Sequence, residues 1–281
     1  VILRAPATSA NLGPGFDCAA VALTLWNELE LTDGEGVVVE GEGAAELPDD
    51  PSNLAVRAYA LLADPDGKRF RFTNRIPLER GLGSSAAAIS LGLAAAAPTL
   101  PAEELLAAGL ALESHPDNLA AALVGGVTLT WEGRIARIAS GLPLRPVALV
   151  PRDRTATEAA RAALPASVPH EDAAVTAGRA ALLGAAVAAG DAALFAAALH
   201  DRLHEPYRPS ETLTAVRAEP PPGAAGATLS GSGPTVIVWA TDALACVPAL
   251  RERFPEHDVL ELSVAVEGAL DPADARASAR P

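Results

Sequence analysis

The chain has 281 residues, half of them hydrophobic but only 4% aromatic, and a net charge of −14. That length allows one large or two medium domains, each with its own core, and that charge argues against nucleic acid as a partner. Cys18 and Cys246 lack metal-type spacing, and the amino end does not resemble a signal peptide, which together predict a cytoplasmic protein with reduced thiols.

In chain order, residues 1–4 read as a short strand, and 23–32 and 37–42 as strands of a sheet. Residues 53–63 have helical spacing, with Leu54, Tyr59, Leu61 and Leu62 available to a core. Residues 69–74 alternate, which puts Phe70 and Phe72 on one face of a half-buried strand. A glycine-rich turn follows and runs into a helix that ends near residue 97. Pro101 with Glu103 and Glu104 opens another helix, to residue 113. Pro116 and Asp117 open a third, which Gly125 and Gly126 end. Residues 127–131 and 134–138 predict a hairpin across Glu132 and Gly133. Beyond Leu144, residues 147–150 read as a strand closed by Pro151, and 155–164, 172–189, 191–203 and 213–218 as helices. Strand signals at Thr228, 236–239 and 259–262 accompany a helix over 243–254, and the tail beyond Gly268 reads as loosely ordered. The alanine-rich runs 86–97 and 177–189 look too short and too weakly apolar to span a membrane, so they are expected to pack inside the protein, with no membrane partner.

The glycine-rich turn, Pro77 to Ala87, points most directly to a reaction class. Gly81 and Gly83 permit a tight turn and close approach to a ligand, and Ser84 or Ser85 can cap the following helix. The free N–H groups and positive dipole end of a helix start form an anion site, and phosphate is the expected anion. The lysine-bearing phosphate loop is excluded, because Lys68 is the sole lysine of the chain. The dinucleotide fingerprint fails at Ala86, where its third glycine would stand.

Four polar clusters lie elsewhere. Two glycines and a proline bend residues 9–17, leaving Asn11 and Asp17 free to face a ligand. Residues 113–118 gather Glu113, His115, Asp117 and Asn118 at a helix boundary, with Asp117 also suited to capping. Thr157 and Arg161 share a helix face, and with Arg208 the arginines can hold a carboxylate or phosphate. Ser230 to Thr235 is a run of small residues that lets one backbone segment approach another.

Together these segments resemble the GHMP kinases, and within them the homoserine kinase family, over nearly the whole chain. Pro77 to Ala87 is similar to the signature Pro-x-x-x-Gly-Leu-Gly-Ser-Ser-Ala, and Ser230 to Thr235 to the C-terminal glycine motif. The finer likeness lies in residues 9–17, His115 to Asn118, Thr157 to Arg161 and Glu205 to Arg208. The resemblance implies an α+β fold of two domains. One, ribosomal-protein-S5-like, would cover 1–143 and carry the phosphate loop; the other, ferredoxin-like, would cover 144–281 and contribute to substrate binding. It implies ATP and Mg²⁺ as cofactors, with the nucleotide on Asn53, Pro77, Gly81, Leu82, Gly83, Ser84, Ser85 and Ala86. Mg²⁺, a hard cation suited to oxygen ligands, would sit on Ser85 and Glu113. Asn11, Asp17, His115, Asn118, Thr157, Arg161 and Arg208 match positions around L-homoserine. Asp117, Asn118 and Arg161 are the expected catalytic residues, Asp117 being the carboxylate best placed if a base is used. The resemblance also implies a homodimer.

The reaction so implied is ATP-dependent phosphorylation of the homoserine side-chain hydroxyl to O-phospho-L-homoserine, a step toward threonine. Homoserine carries an ammonium, which suits Asp17, and a carboxylate, which suits Arg161 and Arg208. Phosphoryl transfer asks mostly for positioning and charge neutralisation. One alternative is a GHMP kinase for another small alcohol, such as mevalonate or a sugar; the two arginines with Asp17 favour a zwitterion. The other is a catalytically silent nucleotide binder, which the intact Gly81, Gly83, Ser85 and Glu113 disfavour. Ser114 stands where the family pattern has glycine, and a positive φ there would be strained.

Overall fold

The longest strands come from a stretch whose alanines and glycines hide it. In a computed structural model that describes residues 1–154 and 157–270, the side chains of 157–159 excepted, β1 (Ile2–Asn11) and β2 (Gly15–Asp33) form an antiparallel hairpin. Both outrun the strands expected at 1–4 and 23–32. Ala5, Ala7, Ala10, Ala19, Ala20 and Ala22 are fully buried on this hairpin. Alanine is a poor strand former on its own, but its small side chain lets helices press close to the sheet, and packing overrides propensity.

β3 (Gly36–Gly41) pairs in parallel with β4 (Lys68–Asn74), which lies antiparallel to β2. Helix α1 (Leu54–Ala60) connects the parallel pair. The hairpin of β5 (Val127–Trp131) and β6 (Arg134–Ala139) completes a six-stranded sheet of order β3-β4-β2-β5-β6, with β1 on β2. Helices α2 (Ser84–Ala96), α3 (Ala102–Gly109) and α4 (Pro116–Val124) pack together, and α2 and α4 lie against β1 and β2. α3 stops short of the expected residue 113, which leaves Glu113 in the loop before α4.

The second half forms a four-stranded antiparallel sheet. Its strands are β7 (Arg145–Pro151), β8 (Ala224–Leu229), β9 (Val236–Ala240) and β10 (His257–Glu261), in the order β10-β7-β9-β8. Between β7 and β8 run α5 (Thr157–Ala162), α6 (His170–Ala189), α7 (Ala192–Ala198), a 3₁₀ turn (Glu205–Tyr207) and α8 (Glu211–Ala218). α9 (Ala243–Arg253) joins β9 to β10. With the helices before β8 taken as one layer, this is the β-α-β-β-α-β path of a ferredoxin-like unit. The expected helix over 191–203 ends early at Ala198, because the chain turns there to bury Asp201 and His204.

The run 177–189 is not an interior helix of modest length. It belongs to the 20-residue α6, long and apolar enough by composition to cross a membrane. In the fold α6 buries one face, with Thr176, Leu183, Ala186 and Val187, and packs against α7 and β6. α2 is the interior helix, buried over most of its length.

One hydrophobic core reaches both sheets, and Phe195 meets Trp239 edge to face at 5.1 Å within it. Residues 263–270 return to the first half: Ala265 N donates to Ala22 O of β2 at 2.9 Å and Ala269 N to Ala122 O of α4 at 2.8 Å. A domain boundary at 143/144, which we propose on the change of sheet, therefore falls between β6 and β7 while the final described segment crosses it. Residues 271–281, most of the tail expected to be loosely ordered, lie outside the described residues.

Candidate active site

The glycine-rich turn is held in place by two distant segments. Gly83 (φ 68°, ψ 31°) occupies the position preceding α2, and no side chain caps the helix there. The expected serine cap is thus not formed; Ser84 and Ser85 are the first helical residues, and both line the main cavity. Only glycine fits at 83, since a Cβ would stand 1.9 Å from Thr8 Oγ1. Thr8 N in turn donates to Leu82 O at 3.0 Å, tying the loop to β1. At Gly81 (φ 75°) a Cβ would lie 2.4 Å from Ser230 O and 2.7 Å from Gly233 O. Ser230 Oγ donates to Gly81 O at 2.6 Å and lies 2.9 Å from Ser9 Oγ. Gly231 N donates to Ala10 O at 3.2 Å, and Thr235 N to Arg80 O at 3.3 Å. The small-residue run 230–235 does let one backbone approach another: it clasps both the glycine-rich turn and the end of β1.

That clasp forms one wall of a cavity of about 120 Å³, lined by residues from all these segments, including Asn11, Asp17, Glu113, His115, Asp117 and Arg208. Asn11 and Asp17 both have positive φ, 70° and 55°. Such conformations are costly for side-chain-bearing residues and concentrate at functional sites. The Asn11 amide is committed on both sides: Nδ2 donates to Gly231 O at 2.9 Å, and Oδ1 accepts from Asp17 N at 3.1 Å. It thereby fixes Asp17 relative to the clasp.

The Asp17 carboxylate receives both Nη groups of Arg161, at 3.1 and 2.5 Å, and this hydrogen bond is the main cause that raises the guanidinium above its ordinary value. Arg161 comes from α5; Thr157 opens the same helix, and its side chain lies outside the described residues. Arg208 is buried at 8% exposure, and burial lowers its guanidinium. Its Nη1 donates to His204 Nδ1 at 3.1 Å and to Gly231 O at 3.3 Å, while Nε has no protein partner.

Across the cavity, Glu113 Oε1 accepts from His115 N at 3.2 Å and lies 2.5 Å from His115 Nδ1. That contact, first among its causes, raises the imidazole. Ser114 between them does not take a positive φ, so serine fits without strain. Asp117, 2% exposed in the first turn of α4, is pushed up to about 6, chiefly by burial. Asn118 N donates to Asp117 Oδ1 at 2.7 Å, and Thr8 Oγ1 donates to Asn118 Oδ1 at 2.7 Å. Glu113 and Ser85 offer a carboxylate and a hydroxyl to the same cavity. Among the described residues no group of three or more His, Cys, Asp or Glu side chains could hold a metal alone. Such a sparse oxygen set fits Mg²⁺, which keeps several waters and relies on substrate phosphates for the rest.

A second cavity of about 170 Å³ shares Ser84 and Ser85 with the first and is walled mainly by apolar side chains, among them Leu47, Leu54, Phe72 and Leu91. Asn53 lines it, but its side chain caps α1, accepting from Ala55 N at 3.0 Å and donating to Pro48 O at 2.9 Å. Ala86 reaches the first cavity. Leu82 is fully buried beneath the loop and Pro77 half-buried before it; neither lines either cavity.

A buried polar network that the sequence reading missed lies under Arg208. Asp201 accepts from the backbone N–H groups of Leu203, His204 and Glu205 at 3.0, 2.6 and 3.0 Å. His204, fully buried, pairs through Nε2 with Gly13 O at 2.8 Å. Because Gly13 O can only accept, Nε2 carries the proton and Nδ1 accepts from Arg208. Burial lowers the imidazole, in keeping with the neutral ring. Glu205 holds Arg217 at 2.8 Å and accepts from Leu229 N at 3.2 Å. The signal available was the density of charge in residues 200–208, which a helix interior would not hold.

Comparison with known proteins gives a consistent likeness. Residues 53–126 match the model of the GHMP kinases N terminal domain. A homoserine kinase from Streptomyces avermitilis is 43% identical over 87% of this chain and 87% of its own length. One from Carboxydothermus hydrogenoformans is 37% identical over 96% of each. The solved structure of a homoserine kinase from Cytophaga hutchinsonii superposes with a TM-score of 0.80 over 95% of this chain and 96% of that one. At 24% identity that structure speaks for the fold alone.

Proposed function

The chain belongs to the homoserine kinase family of the GHMP kinases, and from that membership we propose that it transfers the terminal phosphoryl group of ATP to the side-chain hydroxyl of L-homoserine. The product is O-phospho-L-homoserine, on the way to threonine. One observation carries the reading of the site: the uncapped amino end of α2 and the charged pair Asp17 and Arg208 face a single cavity. The helix start suits a phosphate chain, and the opposite charges suit the zwitterionic end of an amino acid whose side-chain hydroxyl reaches toward that chain.

The apolar second cavity, joined to the first through Ser84 and Ser85, is the place for the nucleoside. Asn53 shapes it by capping α1, and Gly81 to Ala86 carry the phosphates, with Leu82 and Pro77 supporting the loop. Ser85 and Glu113 would hold Mg²⁺, which neutralises phosphate charge when bound. Asp17 takes the substrate ammonium, and Arg161 and Arg208 take its carboxylate, so binding exchanges the Asp17–Arg161 ion pair for two substrate ion pairs. Asn11 fixes Asp17. His115, Asn118 and Thr157 complete the substrate wall. Asp117 accepts the hydroxyl proton: with its carboxyl pushed up to about 6 it is mostly ionised at neutral pH, yet more basic than an exposed aspartate. Asn118 orients it. ADP release with Mg²⁺-ATP, comparing L-homoserine with mevalonate, galactose and L-serine, tests the assignment. Turnover confined to L-homoserine supports it, and preferred turnover of another alcohol retires the substrate.

A further inference from the structure

Phe16 precedes Asp17 at the start of β2 and offers no acid, base or ligand atom, yet the charged groups of the substrate wall gather around its ring. The ring stacks on His204, with centroids 5.1 Å apart and planes 20° from parallel. The Arg208 guanidinium carbon lies 5.5 Å from its centroid and that of Arg161 lies 5.8 Å away. Both distances are within the range at which a cation is attracted to an aromatic quadrupole. His204 is itself fixed, bonded at Nε2 to Gly13 O and at Nδ1 to Arg208. Phe16 is thus backed by a ring that cannot swing away.

We propose that Phe16 is a positioning residue for homoserine, whose ring holds the guanidiniums of Arg161 and Arg208 in place for the substrate carboxylate. The inference rests on the reading that Asp17 binds the ammonium and the arginines the carboxylate. The two guanidiniums repel each other, and in the free protein Asp17 offsets that for Arg161. Once the incoming ammonium claims Asp17, Arg161 loses its anionic partner before the carboxylate has settled. The electron-rich ring then remains to hold it. A neutral aromatic serves this purpose better than a second carboxylate, which would compete with the substrate for both arginines.

The test replaces Phe16 with phenylalanines carrying one, two and three ring fluorines, which drain the quadrupole while nearly preserving shape. The proposal expects the KM for L-homoserine to climb stepwise along the series, by about tenfold at its end. The KM for ATP and kcat should stay within about twofold. Phe16→Leu, with its thermal midpoint recorded, should show at least the same rise. A homoserine KM that is flat along the fluorinated series overturns the proposal, whatever Phe16→Leu does. A rise in both KM values with a matching fall in kcat also overturns it, showing a packing role only. If the unsubstituted enzyme turns over another alcohol and no homoserine, the underlying substrate reading fails, and this inference with it.

Discussion

Asp117 shows at the level of one residue how a site works against stability. Burial pushes its carboxyl from 3.8 up to about 6, so the fold favours the protonated form. Well below pH 3.8 both folded and unfolded chains hold the proton, and nothing is lost. As pH rises toward 6 the unfolded chain gives it up first, and stability falls, by about 3 kcal/mol once both forms are ionised. Asp117→Asn should therefore unfold at a higher temperature than the parent at pH 8, with the gap closing by pH 4, as followed by calorimetry. The same substitution should lower kcat by tenfold or more if the carboxylate takes the hydroxyl proton. Near-normal turnover would remove that role and leave positioning as the source of catalysis. Gly83 makes the complementary case. Gly83→Ala forces a side chain into the left-handed region, at about 1–2 kcal/mol, and against Thr8 Oγ1. We expect an ATP KM raised at least about tenfold, measured by initial rates at saturating acceptor; unchanged nucleotide affinity would mean that the loop does not carry the phosphates.

Among the elements, the strands and helices that carry strong periodicity or clear boundary residues were legible: β4 from Phe70 and Phe72, α4 from Pro116 to its glycine end, the β5–β6 hairpin from Glu132 and Gly133. The β1–β2 hairpin was legible only in part, because its buried faces are built of alanine, which carries no strand signal. The residues that line the cavity were legible as short motifs, since glycine loops and clustered acids need their neighbours in sequence. Their joining was not: Ser230 and Gly81 are bonded across 149 positions, and no local pattern encodes a clasp of that span. The polar network under Arg208 escaped for another reason: its first residues fell inside a run read as one helix. Asp201 is read as a helix residue until its three backbone partners are seen. Asp201→Ala would strand those buried N–H groups and should cost about 3 kcal/mol or more in urea unfolding. Asp201→Asn, which keeps an acceptor, should cost clearly less. Equal losses would indicate that the charge, rather than the hydrogen bonding, matters there.

At the scale of the whole molecule, each sheet delivers part of one site. The first supplies the phosphate loop, Asp17 and the Glu113–Asn118 loop; the second supplies Arg161, Arg208 and the glycine clasp. Neither part lines the cavity alone, and the core that reaches both sheets and the return of residues 263–270 hold the two parts together. The central claim is that this joint cavity reads both charges of the acceptor. The most direct measurement compares kcat/KM for L-homoserine with that for γ-hydroxybutyrate, which lacks the ammonium, and for homoserinol, which lacks the carboxylate. Each analogue leaves a charged group of the cavity unmatched, so each should fall by about tenfold or more. Asp17→Asn should narrow the gap for γ-hydroxybutyrate alone. Equal rates for the three alcohols would contradict the account.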